Sequence, residues 1–128
     1  MILLDTSVVV DWLRYKDAKV AWHIGRSPLV VCGVTRTEIL HGARDAGHRS
    51  SLAQSLDMFL QVDFQPRFWD EAGDLAATLR SCGFALPFAD VLIAAVAIGT
   101  SLPLWTRDKH FTEMSQAIPA LKLFVDSP

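Results

Sequence analysis

A chain of 128 residues has room for one domain, expected over residues 1–128, and little room for a second. With 51% hydrophobic and 20% charged residues it can bury a sizeable core, and no apolar run reaches the roughly 18 residues of a membrane span. A formal net charge of −2 lacks the overall basic signature of a nucleic-acid binder, although eight of the twelve cationic residues are arginine, the side chain suited to forked phosphate contacts.

Ile2 to Leu4 reads as a short buried strand, followed by a helix through Val8, Val9, Trp12 and Leu13. A second helical stretch covers Asp17 to Ile24 and ends near Gly25, and Pro28 breaks the chain before the strand Leu29-Val30-Val31-Cys32. Helices are expected from about Thr37 to Arg44, stopped near Gly47, and from Ser51 to Leu60, with a weak strand at Val62 to Phe64. Phe68 to Ser81 has Phe68, Ala72, Leu75, Ala76 and Leu79 on one face, and Gly83 terminates it. The helix Phe88 to Ile98 is apolar nearly all round, which places it in the middle of the domain or at a subunit contact. Strands at Pro103 to Trp105 and Lys122 to Val125 complete an alternation of short apolar runs and helices, the pattern of an α/β domain with a largely parallel sheet.

Four acids stand out by their place in this pattern: Asp5 ends the first strand, Glu38 follows the second, Asp90 opens the apolar helix and Asp108 follows Leu104-Trp105. The carboxyl ends of parallel strands lie on one sheet edge, where ligand sites form. Each acid also has a purely structural explanation. Asp5 and Asp108 suit helix or turn caps, Thr35-Arg36-Thr37-Glu38 matches a capping box, and Asp90 suits the helix dipole. Together at one edge they would repel unless cations relieved them, and hard oxygen ligands suit Mg²⁺ or Mn²⁺. That is the apparatus of phosphodiester hydrolysis, and no nucleophile elbow, Walker loop or dinucleotide-binding glycine motif competes with it.

The stretches Leu4-Asp5-Thr6-Ser7, Val34-Thr35-Arg36-Thr37-Glu38, Ala89-Asp90-Val91-Leu92-Ile93-Ala94-Ala95 and Thr106-Arg107-Asp108-Lys109-His110-Phe111, in that order, resemble a PIN domain. The resemblance is closer still to the toxin ribonuclease of a VapBC-type toxin–antitoxin pair. It covers essentially the whole chain and implies a three-layer α/β/α sandwich around a mainly parallel sheet. It also implies an endoribonuclease that uses Mg²⁺ or Mn²⁺ at a catalytic set of Asp5, Glu38, Asp90 and Asp108. Asp5, Asp90 and Asp108 are then the direct metal ligands, Glu38 completes the site, and Thr6 and Thr106 are hydroxyls that hold a carboxylate or a bound water. Implied partners are an RNA substrate, a cognate antitoxin that puts an arginine into the acidic pocket, and a second copy in a homodimer. No membrane partner is implied.

The remaining residues read more plainly. Glu38 and His41 have the E-x-x-H spacing of di-iron bundles, but no second copy exists. His23, His48 and His110 lack metal spacing and are expected at the surface or in packing. Asp11, Asp70, Glu71 and Asp74 read as solvated. Arg107 suits either a phosphate contact or an exposed salt bridge. Most of the four tryptophans are expected to pack, with Trp12 and Trp22 as candidates for an antitoxin groove. Cys32 and Cys82 fit no C-x-x-C pattern and are expected reduced in the interior of a cytoplasmic protein. The opening Met1 to Asp5 has no basic region or cleavage site, so no signal peptide is expected. A haloacid-dehalogenase-like phosphatase would need a second carboxylate where Ser7 stands, and the acidic pair of a response-regulator receiver is missing. The rival of a different class is an inert PIN-like module that binds RNA or a protein without cutting.

Overall fold

Alternation within very short strands decides the layers of this protein, whose structure, a computed structural model, describes residues 1–126. The last two positions of the expected 1–128 domain lie outside the described residues. Strands β1 (Ile2–Leu4), β2 (Leu29–Val31), β3 (Leu60–Gln61) and β4 (Leu104–Trp105) form one parallel sheet in the order β3-β2-β1-β4. Successive side chains of a strand point to opposite faces. Leu3, Val30 and Leu104 therefore enter one core, with α5 (Arg67–Ser81), α6 (Phe88–Thr100) and α7 (Lys109–Ala117). Ile2, Leu4, Leu29, Val31 and Trp105 enter the other, with α1 (Thr6–Tyr15), α2 (Ala18–His23), α3 (Gly33–His41) and α4 (Ala46–Leu56). The result is the expected three-layer α/β/α sandwich. α6 lies inside it, with Val91 and the run Ile93 to Ala97 buried.

The differences from the expected elements are local. α3 begins at Gly33 rather than Thr37, because Cys32 serves as its N-cap with no side-chain cap bond. α4 begins at Ala46, capped by the Asp45 carboxylate on the His48 amide, so Gly47 opens a helix that it was expected to stop. β3 lies two residues before its expected position and exposes both side chains, as an edge strand does. Lys122 to Val125 is reduced to a single bridge from Leu123 to Leu104, and α7, which no periodicity announced, follows Asp108. Cys32 is buried, but Cys82 is exposed at the C-cap of α5, just before Gly83 turns the chain at φ 90°. No helix among the described residues is long and apolar enough to cross a membrane.

The α5–α6 contact allows a test of close packing. A Cβ on Gly99 would stand 2.6 Å from Phe68 Cε1 and 2.9 Å from Glu71 Oε2, and Phe68 is almost fully buried. Alanine normally improves a helix over glycine by about 1 kcal/mol. Here overpacking, worth roughly 1–3 kcal/mol, reverses the sign. Gly99→Ala is expected to lower the urea midpoint, and a raised midpoint would show that the Phe68 ring can retreat.

Candidate active site

All four strands run the same way, so the chain leaves β1, β2 and β4 at one edge, and each exit carries part of the site. Asp5 is the residue after β1 and the N-cap of α1. It is buried, and its Oδ2 accepts three hydrogen bonds: from Ser7 Oγ at 2.7 Å, Thr106 Oγ1 at 2.9 Å and, at 3.4 Å, the Ser7 amide. Thr106 in turn accepts from the Asp108 amide at 3.0 Å, so one hydroxyl ties the two acidic loops together. Asp108 caps α7 through the His110 amide at 2.9 Å. Asp90 arrives from the first turn of α6, and its Oδ2 stands 2.9 Å from His110 Nδ1, with Asp108 Oδ1 3.6 Å from the same nitrogen.

Glu38 approaches differently. It lies in the second turn of α3, and the Thr6 hydroxyl donates to its Oε1 at 2.7 Å while lying 3.2 Å from the fully buried Thr35 hydroxyl. The capping-box reading of Thr35 to Glu38 is thereby corrected: Thr35 is inside the helix, not at its cap. His41 binds the backbone carbonyl of Glu38 rather than its carboxylate, so the E-x-x-H spacing makes no ligand pair.

Charge in this cluster is poorly compensated. Among the described residues no lysine or arginine forms an ion pair with Asp5, Glu38, Asp90 or Asp108. Burial pushes the Asp90 carboxyl above its ordinary value; the negative charges of Asp108 and Asp5 add to that, and the His110 hydrogen bond opposes it. The His110 imidazole is pushed up, first by its hydrogen bond to Asp90 and then by the charge of Asp108. One ligand atom each from Asp90, Asp108 and His110 fall within 4.8 Å of one another, a donor set that fits a small divalent cation. Asp5 is bound to this group through Thr106, and Glu38 is joined to it only by way of Thr6. His110 is the residue whose link to the acids sequence reasoning missed. It was expected at the surface or in packing, yet it stands between two of the four acids. The signal available was its spacing two residues after Asp108 at a helix start.

Arg107 takes the salt-bridge alternative. Its guanidinium donates to Asp11 Oδ2 at 2.6 Å and to both Asp17 oxygens at 2.8 and 3.1 Å, and its amide donates to Ser7 Oγ. Asp11 is therefore paired rather than simply solvated. The Arg107 hydrogen bond holds the Asp17 carboxyl below its ordinary value, against an opposing effect of burial. A carboxyl lowered in the folded state contributes stability that is present above the unfolded pKa, about 4, and lost as the pH falls through the folded value. Arg107→Met is thus expected to cost about 0.5–1 kcal/mol at pH 7 and progressively less below about pH 4. Urea titrations across that range would refute the clamp if the difference between the two proteins did not depend on pH.

Of the tryptophans, Trp105 is buried and Trp12 partly so, whereas Trp22 and Trp69 are exposed. His23 packs edge-on against Trp22, Trp105 and Phe124, as a packing histidine should.

Comparison with known proteins adds to this geometry. Residues 2–117 match the family model of the PIN domain. Over 121 residues the chain is 27% identical to "Ribonuclease VapC1" of Methanocaldococcus jannaschii, spanning 90% of this chain and 82% of that protein. Among solved structures, VapBC-1 from nontypeable Haemophilus influenzae superposes with a TM-score of 0.82 at 20% identity, over 97% of each chain. The DNA-bound VapBC of Salmonella typhimurium gives a TM-score of 0.83 at 16% identity, over 96% of each.

Proposed function

The chain belongs to the PIN-domain family, and from that premise we propose that it is a divalent-metal-dependent endoribonuclease, the toxin of a toxin–antitoxin pair. The observation that carries this reading is the convergence of Asp90 and Asp108 to ligand distance beside Asp5, with no lysine or arginine among the described residues paired to them. The similarity to a protein named as a ribonuclease supports RNA as the substrate class, and the resemblance to VapBC assemblies supports an antitoxin as partner.

In this reading Asp5, Asp90 and Asp108 hold Mg²⁺ or Mn²⁺, and Glu38 completes the catalytic set. The cation, when bound, acidifies a water and offsets charge on the phosphate and its leaving oxygen. The residues of the chain orient that chemistry. Ser7 and Thr106 engage the same Asp5 oxygen, which fixes the plane of the carboxylate. Thr6 occupies Oε1 of Glu38, which leaves the second oxygen to accept a proton from the attacking water. Three hydroxyls thus set two carboxylates before any substrate arrives, so little reorganisation is left for the reaction. Exposed Trp22 on α2 suits an antitoxin segment. A homodimer acting in the cytoplasm belongs to the same reading, and light scattering of the isolated chain tests the dimer.

The function is tested by incubating the purified protein with total cellular RNA in Mg²⁺ or Mn²⁺ and in EDTA, alongside Asp5→Asn. Discrete fragments that require metal and disappear in the variant are expected. Fragments that persist in Asp5→Asn, or intact RNA from a wild type that also ignores Mn²⁺, would replace the nuclease with an inert binding module.

A further inference from the structure

His110 occupies the place of a third ligand. Its Nδ1 lies 2.9 Å from Asp90 Oδ2 and 3.6 Å from Asp108 Oδ1. Adjacent donors around an octahedral divalent ion with bonds near 2.1 Å stand about 3 Å apart; the His110–Asp90 spacing matches that, and all three candidate ligand atoms lie within 4.8 Å of one another. The ring is also held in place. The His110 amide donates to Asp108 Oδ1 at 2.9 Å, which joins histidine and carboxylate in the first turn of α7. Phe111, the next residue, is fully buried and fixes the roll of that turn against the core. Asp90 reaches the same point from α6, and the His110 side chain is open enough, at 36% exposure, to leave an entry path.

We propose that His110 is a further direct ligand of the divalent cation, joining Asp90 and Asp108 beside Asp5 and tuning the site toward a first-row transition ion over Mg²⁺. The inference rests on the cation-dependent reading of the same site. A neutral imidazole adds a ligand without adding to the repulsion among the carboxylates. Mg²⁺ prefers an all-oxygen shell, whereas first-row transition ions accept nitrogen, with affinity rising from Mn²⁺ to Cu²⁺. With His110 in the shell, Mn²⁺ holds an advantage that the four acids alone would not give it.

The test uses the untagged full chain and Mn²⁺ alone. Electron paramagnetic resonance gives the affinity, and its pulsed echo-modulation form detects a nitrogen bound directly to manganese. Wild type is expected to show the nitrogen coupling. His110→Ala and His110→Gln are expected to lose it and to bind Mn²⁺ about ten- to a hundredfold more weakly, with Mg²⁺ affinity, read by competition, nearly unchanged. Bound Mn²⁺ without nitrogen coupling in wild type, or coupling that survives both substitutions, would overturn the role of His110 and leave the cation site standing. The imidazole would then be only a salt-bridge partner of Asp90. A wild type that binds no Mn²⁺ would overturn both the ligand and the metal-dependent reading.

Discussion

Asp90→Asn is expected to cut RNA about 10²–10⁴-fold more slowly than wild type while folding normally, a loss of several kcal/mol in transition-state stabilisation. The substitution preserves shape and removes one charge from the place where charge is hardest to hold. Asp90 is largely buried, and burial together with Asp108 and Asp5 already pushes its carboxyl toward the neutral form. Without metal, the amide relieves that repulsion, so the stability of the variant should equal or slightly exceed that of wild type. With metal, the order reverses. A cation that binds only the folded state stabilises it by about 2.7 kcal/mol at a hundredfold excess over its dissociation constant, and Asp90→Asn should forfeit most of that gain. Single-turnover cleavage and thermal unfolding with and without Mn²⁺ read both effects. A variant that keeps its cleavage rate, or the full Mn²⁺-induced shift, would remove Asp90 from the site.

The second large effect is on stability. Phe111→Ala is expected to cost about 3–5 kcal/mol, the range for deleting a buried aromatic ring, which is a large share of the roughly 5–15 kcal/mol that stabilises a typical domain. Phe111 is fully buried, and with Met114 it is one of the two buried residues that hold the nine-residue α7 in the core. The helix presents Asp108 at its N-cap and His110 in its first turn, so a cavity beneath it should loosen the site as well. Mn²⁺ affinity measured well below the melting temperature should therefore fall in Phe111→Ala and recover largely in Phe111→Leu. Urea titration measures the stability term. A cost below about 1.5 kcal/mol would mean that the pocket collapses around the deletion and that α7 is held by other contacts.

Asp5, Glu38 and Asp108 were locatable in the sequence because strands that run parallel end on the same side, whereas Asp90 comes from the first turn of α6, whose start is marked by the apolar run from Phe88. Their neighbourhood depends only on where strands and helices begin, and apolar runs mark that well. Boundaries set by glycine were less legible. Gly33 and Gly47 open helices here, since a first turn needs few intrahelical bonds and tolerates the residue that an interior would reject. Cys32 as an N-cap carries no side-chain signature at all. The last expected strand is a single bridge because only Leu123 pairs with the sheet there. His110 illustrates a different limit. Its spacing two residues after Asp108 was local, but the contact that gives it significance is with Asp90, twenty residues away on another helix. The ion pair from Arg107 to Asp11 and Asp17 is equally non-local, spanning 96 and 90 residues.

The Thr106–Asp5 hydrogen bond spans 101 residues, joining the first strand of the sheet to the last. During synthesis, Asp5 emerges early, but the hydroxyl that orients it and the carboxylate it works beside emerge only after most of the chain. β1 can pair with β2 beforehand, whereas its other flank stays open until β4 arrives. A partly made chain consequently lacks both the Thr106 hydroxyl and the Asp108 carboxylate until β4 has been made. Under the proposed ribonuclease function, cleavage is expected only once β4 and α7 have joined the sheet, so a chain truncated before Thr106 is expected to leave RNA intact.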